Sequence, residues 1–257
     1  MKKTKYIVAL LLLSLPILIR AQDSISRKGF YAGVVFSPDH SYRMLSPGGG
    51  PMDQSIISQR NGEEIPKLAF TAGINLLYQK SKRFAFSFGI QYSVKGEASQ
   101  DIPVTFGAQI DPRNGFVYSG SSGGANVVSV SFKHQTTYLD LPLKVDYYLC
   151  TRRNAWYISG GIAPNIFLFE KVIQTEKTDN GSVQRSSQTY ARNRTDYFLI
   201  NPQAQLGFGF DRLIKSSRLR IEPVYRMSVW NVDEKGSIKG YFYSIGINCS
   251  YLFSLKK

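Results

Sequence analysis

The sequence predicts an all-β chain: a transmembrane antiparallel up-and-down β-barrel of about eight strands, with short periplasmic turns and long outer loops. Three observations predict it. Stretches of about ten residues alternate bulky apolar side chains with small or charged ones at period two. The connections between them alternate long and short. An export signal precedes them all.

The signal comes first along the chain. Lys2, Lys3 and Lys5 form a positive start, Ile7 to Ile19 an apolar run, and Ala21 a small residue for cleavage before Gln22. Residues 1–21 therefore read as a signal peptide and 22–257 as one barrel domain. Beyond residue 21 no apolar run approaches the roughly 18 residues that a membrane helix needs.

The first strand candidate, 29–37, alternates loosely. In 68–79, Phe70, Ala72, Ile74, Leu76 and Tyr78 oppose Thr71, Gly73, Asn75 and Gln79. From Arg83 the chain reads RFAFSFGIQYSV, with Phe84, Phe86, Phe88, Ile90, Tyr92 and Val94 on one side. A helix would scatter these residues around its axis, whereas a strand sorts them. In 137–148, Leu139, Leu141, Leu143, Val145 and Tyr147 oppose Asp140, Lys144 and Asp146. The next candidate, 155–169, is again loose. In 202–211, Ala204, Leu206, Phe208 and Phe210 oppose Gln203, Gln205, Gly207, Gly209 and Asp211. In 218–230, Leu219, Ile221, Tyr225, Met227 and Val229 oppose Arg218, Arg220, Glu222, Arg226 and Ser228. In 241–253, aromatic and aliphatic residues from Tyr241 to Phe253 oppose Ser244, Gly246, Asn248 and Ser250. The long connections are 38–66, 96–135 and 170–197, and the short ones 80–82, 149–154 and 212–217, with 232–239 intermediate. Transmembrane barrels have this asymmetry, with the short turns periplasmic.

Size separates a membrane barrel from a soluble one. The interior of eight strands is just wide enough for its own side chains. Here the bulky residues share one face and the glycines, serines and amides the other, so the bulky face belongs on the convex outside. Facing lipid at mid-depth, a lysine or arginine would cost about 2–4 kcal/mol. Asp140, Lys144, Asp146, Arg220, Glu222 and Arg226 are therefore expected inside, as a structural charge cluster that plugs the lumen. Tyr78, Tyr147, Tyr148, Trp156, Tyr157, Tyr197, Phe198, Trp230, Tyr241 and Phe253 lie near strand ends and are expected to form interfacial girdles.

The run Tyr138-Leu139-Asp140-Leu141-Pro142-Leu143-Lys144, the Ala21-Gln22 pair and the opening Gly29-Phe30-Tyr31-Ala32-Gly33 carry a resemblance. The chain resembles the PorT-like outer-membrane β-barrel family of Bacteroidetes. That resemblance implies an eight-stranded barrel in the bacterial outer membrane. It also implies a family in which one member serves protein secretion and most have no assigned role.

The precursor carries a net charge of +14, and loss of residues 1–21 removes four cations and no acid, leaving +10. For an exported chain this balance points to lipid headgroups and away from nucleic acid. Cys150 and Cys249 are the only cysteines and are expected to stay unpaired. Gly120-Ser121-Ser122-Gly123-Gly124 matches G-x-S-x-G, but the following ANVVSVSF reads as a strand where a nucleophile elbow needs a helix. His40 and His134 are the only histidines, both read as lying in or beside outer loops. His134, near Ser131 and Thr136, is the seed for an alternative, a lipid-modifying barrel enzyme. No spacing suits a metal, cofactor or phosphate site. The expected function is non-enzymatic: three outer loops presented for binding, or support of envelope or secretion machinery. A narrow channel is the other alternative.

Overall fold

The computed structural model describes residues 28–104, 109–110, 117–118, 127–150, 152–233 and 237–255. The predicted signal peptide and the Gly120–Gly124 motif lie outside the described residues. In chain order the elements are β1 (Gly29–Pro47), α1 (Asp53–Glu63), β2 (Glu64–Gln79), β3 (Phe84–Lys95), β4 (Glu97–Ser99), β5 (Ile102–Pro103), β6 (Gln109–Ile110) and β7 (Val117–Tyr118). They continue with β8 (Val127–Asp140), β9 (Leu143–Tyr148), β10 (Asn154–Thr178), β11 (Val183–Ala191), β12 (Ile200–Ile214), β13 (Ser217–Ser228) and β14 (Ile238–Ser254).

The main sheet closes on itself. β1 pairs with β14 from Tyr31↔Ser254 to Pro47↔Ile238, and with β2 from Gly29↔Gln79 to Ser41↔Lys67. From β2 the antiparallel pairing passes through β3, then β8 and β9, then β10, β12, β13 and back to β14. Closure pairs backbone N–H and C=O groups around the wall, which a lipid surround demands.

The sheet counts twelve strands, where about eight were expected. One cause is Pro142, which has no N–H to give to the ladder and separates β8 from β9. Both pieces keep the same neighbours: Asp140 faces Gln91 and Asn165, and Leu143 faces Phe88 and Ile162. The other cause is that strands extend into the segments expected as outer loops. β1 runs on to Pro47, β8 begins at Val127, and β10 reaches Thr178 and turns back as β11. Short β4 and β5 add to β2 and β8.

The two faces differ as the alternation predicts. β3 is buried at every second position, with Phe84, Phe86, Phe88, Ile90 and Tyr92 exposed on the outside. The outward face continues through Val34, Ile74, Leu143, Val145, Ile158, Leu206, Phe208, Ile221 and Ile245. The girdle expectation needs correction at three residues. Tyr148 and Tyr157 are buried because each occupies an inward register position beside an outward neighbour, and Tyr197, bridged to Asp233 outside the named strands, is buried in a cluster with Tyr138, Phe167 and Phe242.

The two ends are unlike. At one end the turns are tight: Ser81 Oγ accepts the Phe84 N–H at 3.0 Å, and Lys215-Ser216 joins paired Ile214 and Ser217 with Lys215 at φ 52. At the other end sits α1. The Asp53 carboxylate accepts the N–H groups of Gly48, Gly49 and Gly50 at 3.0, 3.1 and 2.8 Å, which pins the approach to the helix.

Candidate functional site

Among the described residues the fold gathers charge in quantity in the lumen. Its pairs stack from the tight-turn end upward. Arg218 donates to Asp211, to Gln79 Oε1 at 2.9 Å and to Tyr148 at 2.6 Å, with its guanidinium over the Tyr31 ring. Arg220 reaches Asp146 at 2.6 Å and lies 4.2 Å from the Tyr157 ring centroid. Lys144 meets Glu222 at 2.8 Å, and Ser159 and Asn248 also donate to that carboxylate. Arg226 meets Asp39 at 2.8 Å and Asn248 at 2.6 Å. Ser37 and Thr71 donate to the two Asp39 oxygens at 2.6 and 2.7 Å. Lys95 meets Asp140 at 3.2 Å and Gln203 at 3.3 Å.

Five buried cations thus face five buried carboxylates. A charge taken from water without a partner costs several kcal/mol, and hydrogen-bonded pairing offsets most of that. Glycines make the room. A Cβ on Gly246 would sit 1.7 Å from Asp39 Oδ1, and one on Gly207 would sit 2.3 Å from Glu222 Oε1. The small inward residues and the inward charges are therefore one packing solution.

Asp140, Lys144, Asp146, Arg220, Glu222 and Arg226 all lie in this column. The sequence reading left out Asp39 and Lys95, because it ended the strands at residues 37 and 94. The signal was present: Ser37, Asp39, Ser41 and Arg43 continue the inward alternation past Pro38, and Lys95 follows Ser93 at the same period. Asp211 and Arg218 had been sorted to the polar face but not joined to the cluster.

Above the column lies a layer of Tyr138, Phe167, Tyr197, Val232 and Phe242. Further charges meet around that layer. Arg43 reaches Glu97 at 2.9 Å and Glu64 at 3.5 Å, and Arg60 reaches Glu64 at 2.7 Å. Asp233, in the connection between β13 and β14, is nearby. Burial pushes its carboxyl up to about 6, aided by Glu97 and Glu170 and opposed by Arg43. On the rim, the Lys177 ammonium holds the Asp101 carboxyl below its usual range.

His134 is not a loop residue. It lies within β8, buried, with Nδ1 3.0 Å from Glu170 Oε1, and Tyr197 donates to the same oxygen at 3.3 Å. A bulge between Phe167 and Phe169 shifts the β10 register and turns Glu170 inward. Ser131, three residues from His134 on one strand, takes the opposite face. His40 is likewise in a strand, β1, and points outward. Cys150 and Cys249 are free thiols. Among the described residues no group of three or more His, Cys, Asp or Glu could hold a metal ion.

The family described as "Outer membrane protein beta-barrel domain" matches residues 21–256, almost the whole chain. The chain belongs to this family. It is a β-barrel of the bacterial outer membrane, and its outward apolar face is the surface that meets lipid. No curated relative matches at a significant level. Among solved structures the chain is similar to Ail, the attachment invasion locus protein of Yersinia pestis. Identity there is 8% over 86% of this chain and 99% of that one, with TM-score 0.31. It is also similar to Neisserial surface protein A, at 11% identity over 86% and 97%, TM-score 0.33. A third is the outer membrane protease OmpT of Escherichia coli, at 9% identity over 91% and 99%, TM-score 0.37.

Proposed function

We propose that this protein is a non-enzymatic outer-membrane barrel of the PorT-like type of Bacteroidetes. On this reading eight long ribbons form the wall, with β8 and β9 counted as one. Segments 38–66, 96–135 and 170–197 face the cell exterior, where they bind a partner or support envelope or secretion machinery. The observation that carries the reading is the lumen. Its cations and carboxylates are spent on one another, so the interior acts as a fixed plug and chemistry with partners falls to the outer end. The β10–β11 ribbon supports it, since β11 is exposed along nearly its whole length. Crosslinking in intact outer membrane, followed by purification of the barrel, tests it. Replacing residues 172–188 with a short turn is expected to abolish captured partners while the barrel still folds. Unchanged capture, together with unchanged envelope phenotypes after trimming 38–66 and 96–135 as well, would sink it.

One observation favours a second reading, a lipid-modifying enzyme. The His134–Glu170 pair resembles half of a charge-relay arrangement, and His134 Nε2 is buried without a hydrogen-bond partner. No hydroxyl nucleophile accompanies it in the hydrogen bonds of the described residues. An unchanged lipid profile in a His134→Ala strain disposes of this reading. Unitary conductance in planar bilayers would instead favour a channel.

A further inference from the structure

We propose that the outer wall carries a binding site for a phosphorylated lipid of the outer leaflet, of the lipid A type. The site is a cavity of about 660 Å³ on the outer surface, where β2, β3, β8, β10 and β11 meet. Leu68, Phe70, Tyr92 and Phe169 give it an apolar floor, and Lys133 and Lys171 stand over it. The bulge after Phe167 turns β10 relative to β8 at this level.

Two features identify the occupant. The first is continuity with the lipid-facing surface. The Phe36, Phe70 and Tyr92 rings follow one another at centroid distances of 6.5 and 6.1 Å, all on the outward face. An acyl chain lying on the wall therefore runs into the cavity without leaving apolar ground. The second is charge. Lys171 pairs across the ladder with Gln135, so Lys133 is its diagonal neighbour on the same face. Such neighbours lie about 7–8 Å apart. Neither lysine makes an ion pair among the described residues, and no lining residue is acidic. Two like charges held side by side above an apolar floor repel, and an anion between them relieves that repulsion. A phosphate on an acylated headgroup supplies both the anion and the chains. Lysine suits the task, since its stem lies along the apolar wall while its ammonium rises to the headgroup level.

Lys133, Gln135, Lys171 and Thr189 lie within the segments proposed to bind partners, but lipid retention is read without a partner, so either reading can fail alone. The site rests on the proposed orientation only for the choice of leaflet. The test uses the full-length barrel in nanodiscs of phosphatidylethanolamine containing equal amounts of lipid A and phosphatidylglycerol, with the retained lipid read by native mass spectrometry. The wild-type barrel is expected to retain lipid A and to release the dephosphorylated form. Lys133→Gln/Lys171→Gln is expected to retain about tenfold less, the loss of roughly one charge-assisted contact. Lys80→Gln, at the tight-turn end, is expected to retain as much as wild type, and heat-modifiable gel mobility reports folding of each variant. Equal retention by the double variant, or equal retention of dephosphorylated lipid by wild type, overturns the lysine clasp. Preference for phosphatidylglycerol over lipid A overturns the choice of leaflet, and with it the orientation, without touching the loop-binding result.

Discussion

The two halves of β10 belong to one strand but to two media. From Asn154 to Phe167 the strand alternates, with Trp156, Ile158 and Ile162 outside and Ala155, Tyr157, Ser159 and Ala163 buried. Beyond Glu170 the alternation fades to uniform partial exposure, and its new partner β11 is exposed almost throughout. Backbone pairing with β8 resumes past the bulge between Phe167 and Phe169 and runs on to Val127. Hydrogen bonding therefore does not mark where the membrane ends. Side-chain sorting marks it, because lipid penalises polar groups on the outside and water does not.

That contrast can be broken, and the largest effect is expected in the lumen. Arg226→Met leaves Asp39 buried without its cation, and the unfolding free energy in lipid vesicles, read by urea titration, should fall by about 3–5 kcal/mol. The double variant Asp39→Leu/Arg226→Met should recover most of the loss, since it removes both charges. A double variant as unstable as the single one would show that Asp39 and Arg226 do not act as a pair.

A smaller effect compares the halves of β10 and its hairpin directly. Ile158→Arg puts a cation on the lipid face and should cost about 2–4 kcal/mol in the same titration. Val183→Arg puts the same residue on β11, also facing outward, and should change stability by no more than about 0.5 kcal/mol. Equal costs would mean that the β10–β11 ribbon is embedded as well.

A third test is a pH dependence at the outer end. The folded state holds Asp233 with a pKa of about 6, above its ordinary 3.8. The folded form therefore binds the proton more tightly than the unfolded chain does. The stability this confers is complete below pH 3.8 and is lost as pH rises through about 6. Asp233→Asn, which mimics the protonated side chain, should flatten stability between these values and leave the barrel more stable than wild type at neutral pH. An identical pH profile in the variant would remove Asp233 from the account.

The wall was legible because its physics is local. Alternation in β3 and β13 follows from one face meeting lipid and the other a crowded tube, so each strand carries its own record of orientation. The site was legible only where the strands were read to full length. Asp39 escaped because Pro38 sits outward in β1 and interrupts the apolar pattern, although its missing N–H leaves the inward register intact. His134 escaped because a Gly- and Ser-rich stretch before Val127 drew the expected loop forward over the start of β8.

The sequence by itself determined the β class, the outward and inward faces and the kind of residue on each, because period-two sorting is imposed residue by residue by the two media. Only the tertiary structure decided which cation meets which carboxylate, that Pro142 divides one ribbon into two, and that strands run on into the expected loops. Those outcomes depend on register between strands far apart in the chain, and register is set by closure of the whole ring, which no single segment encodes.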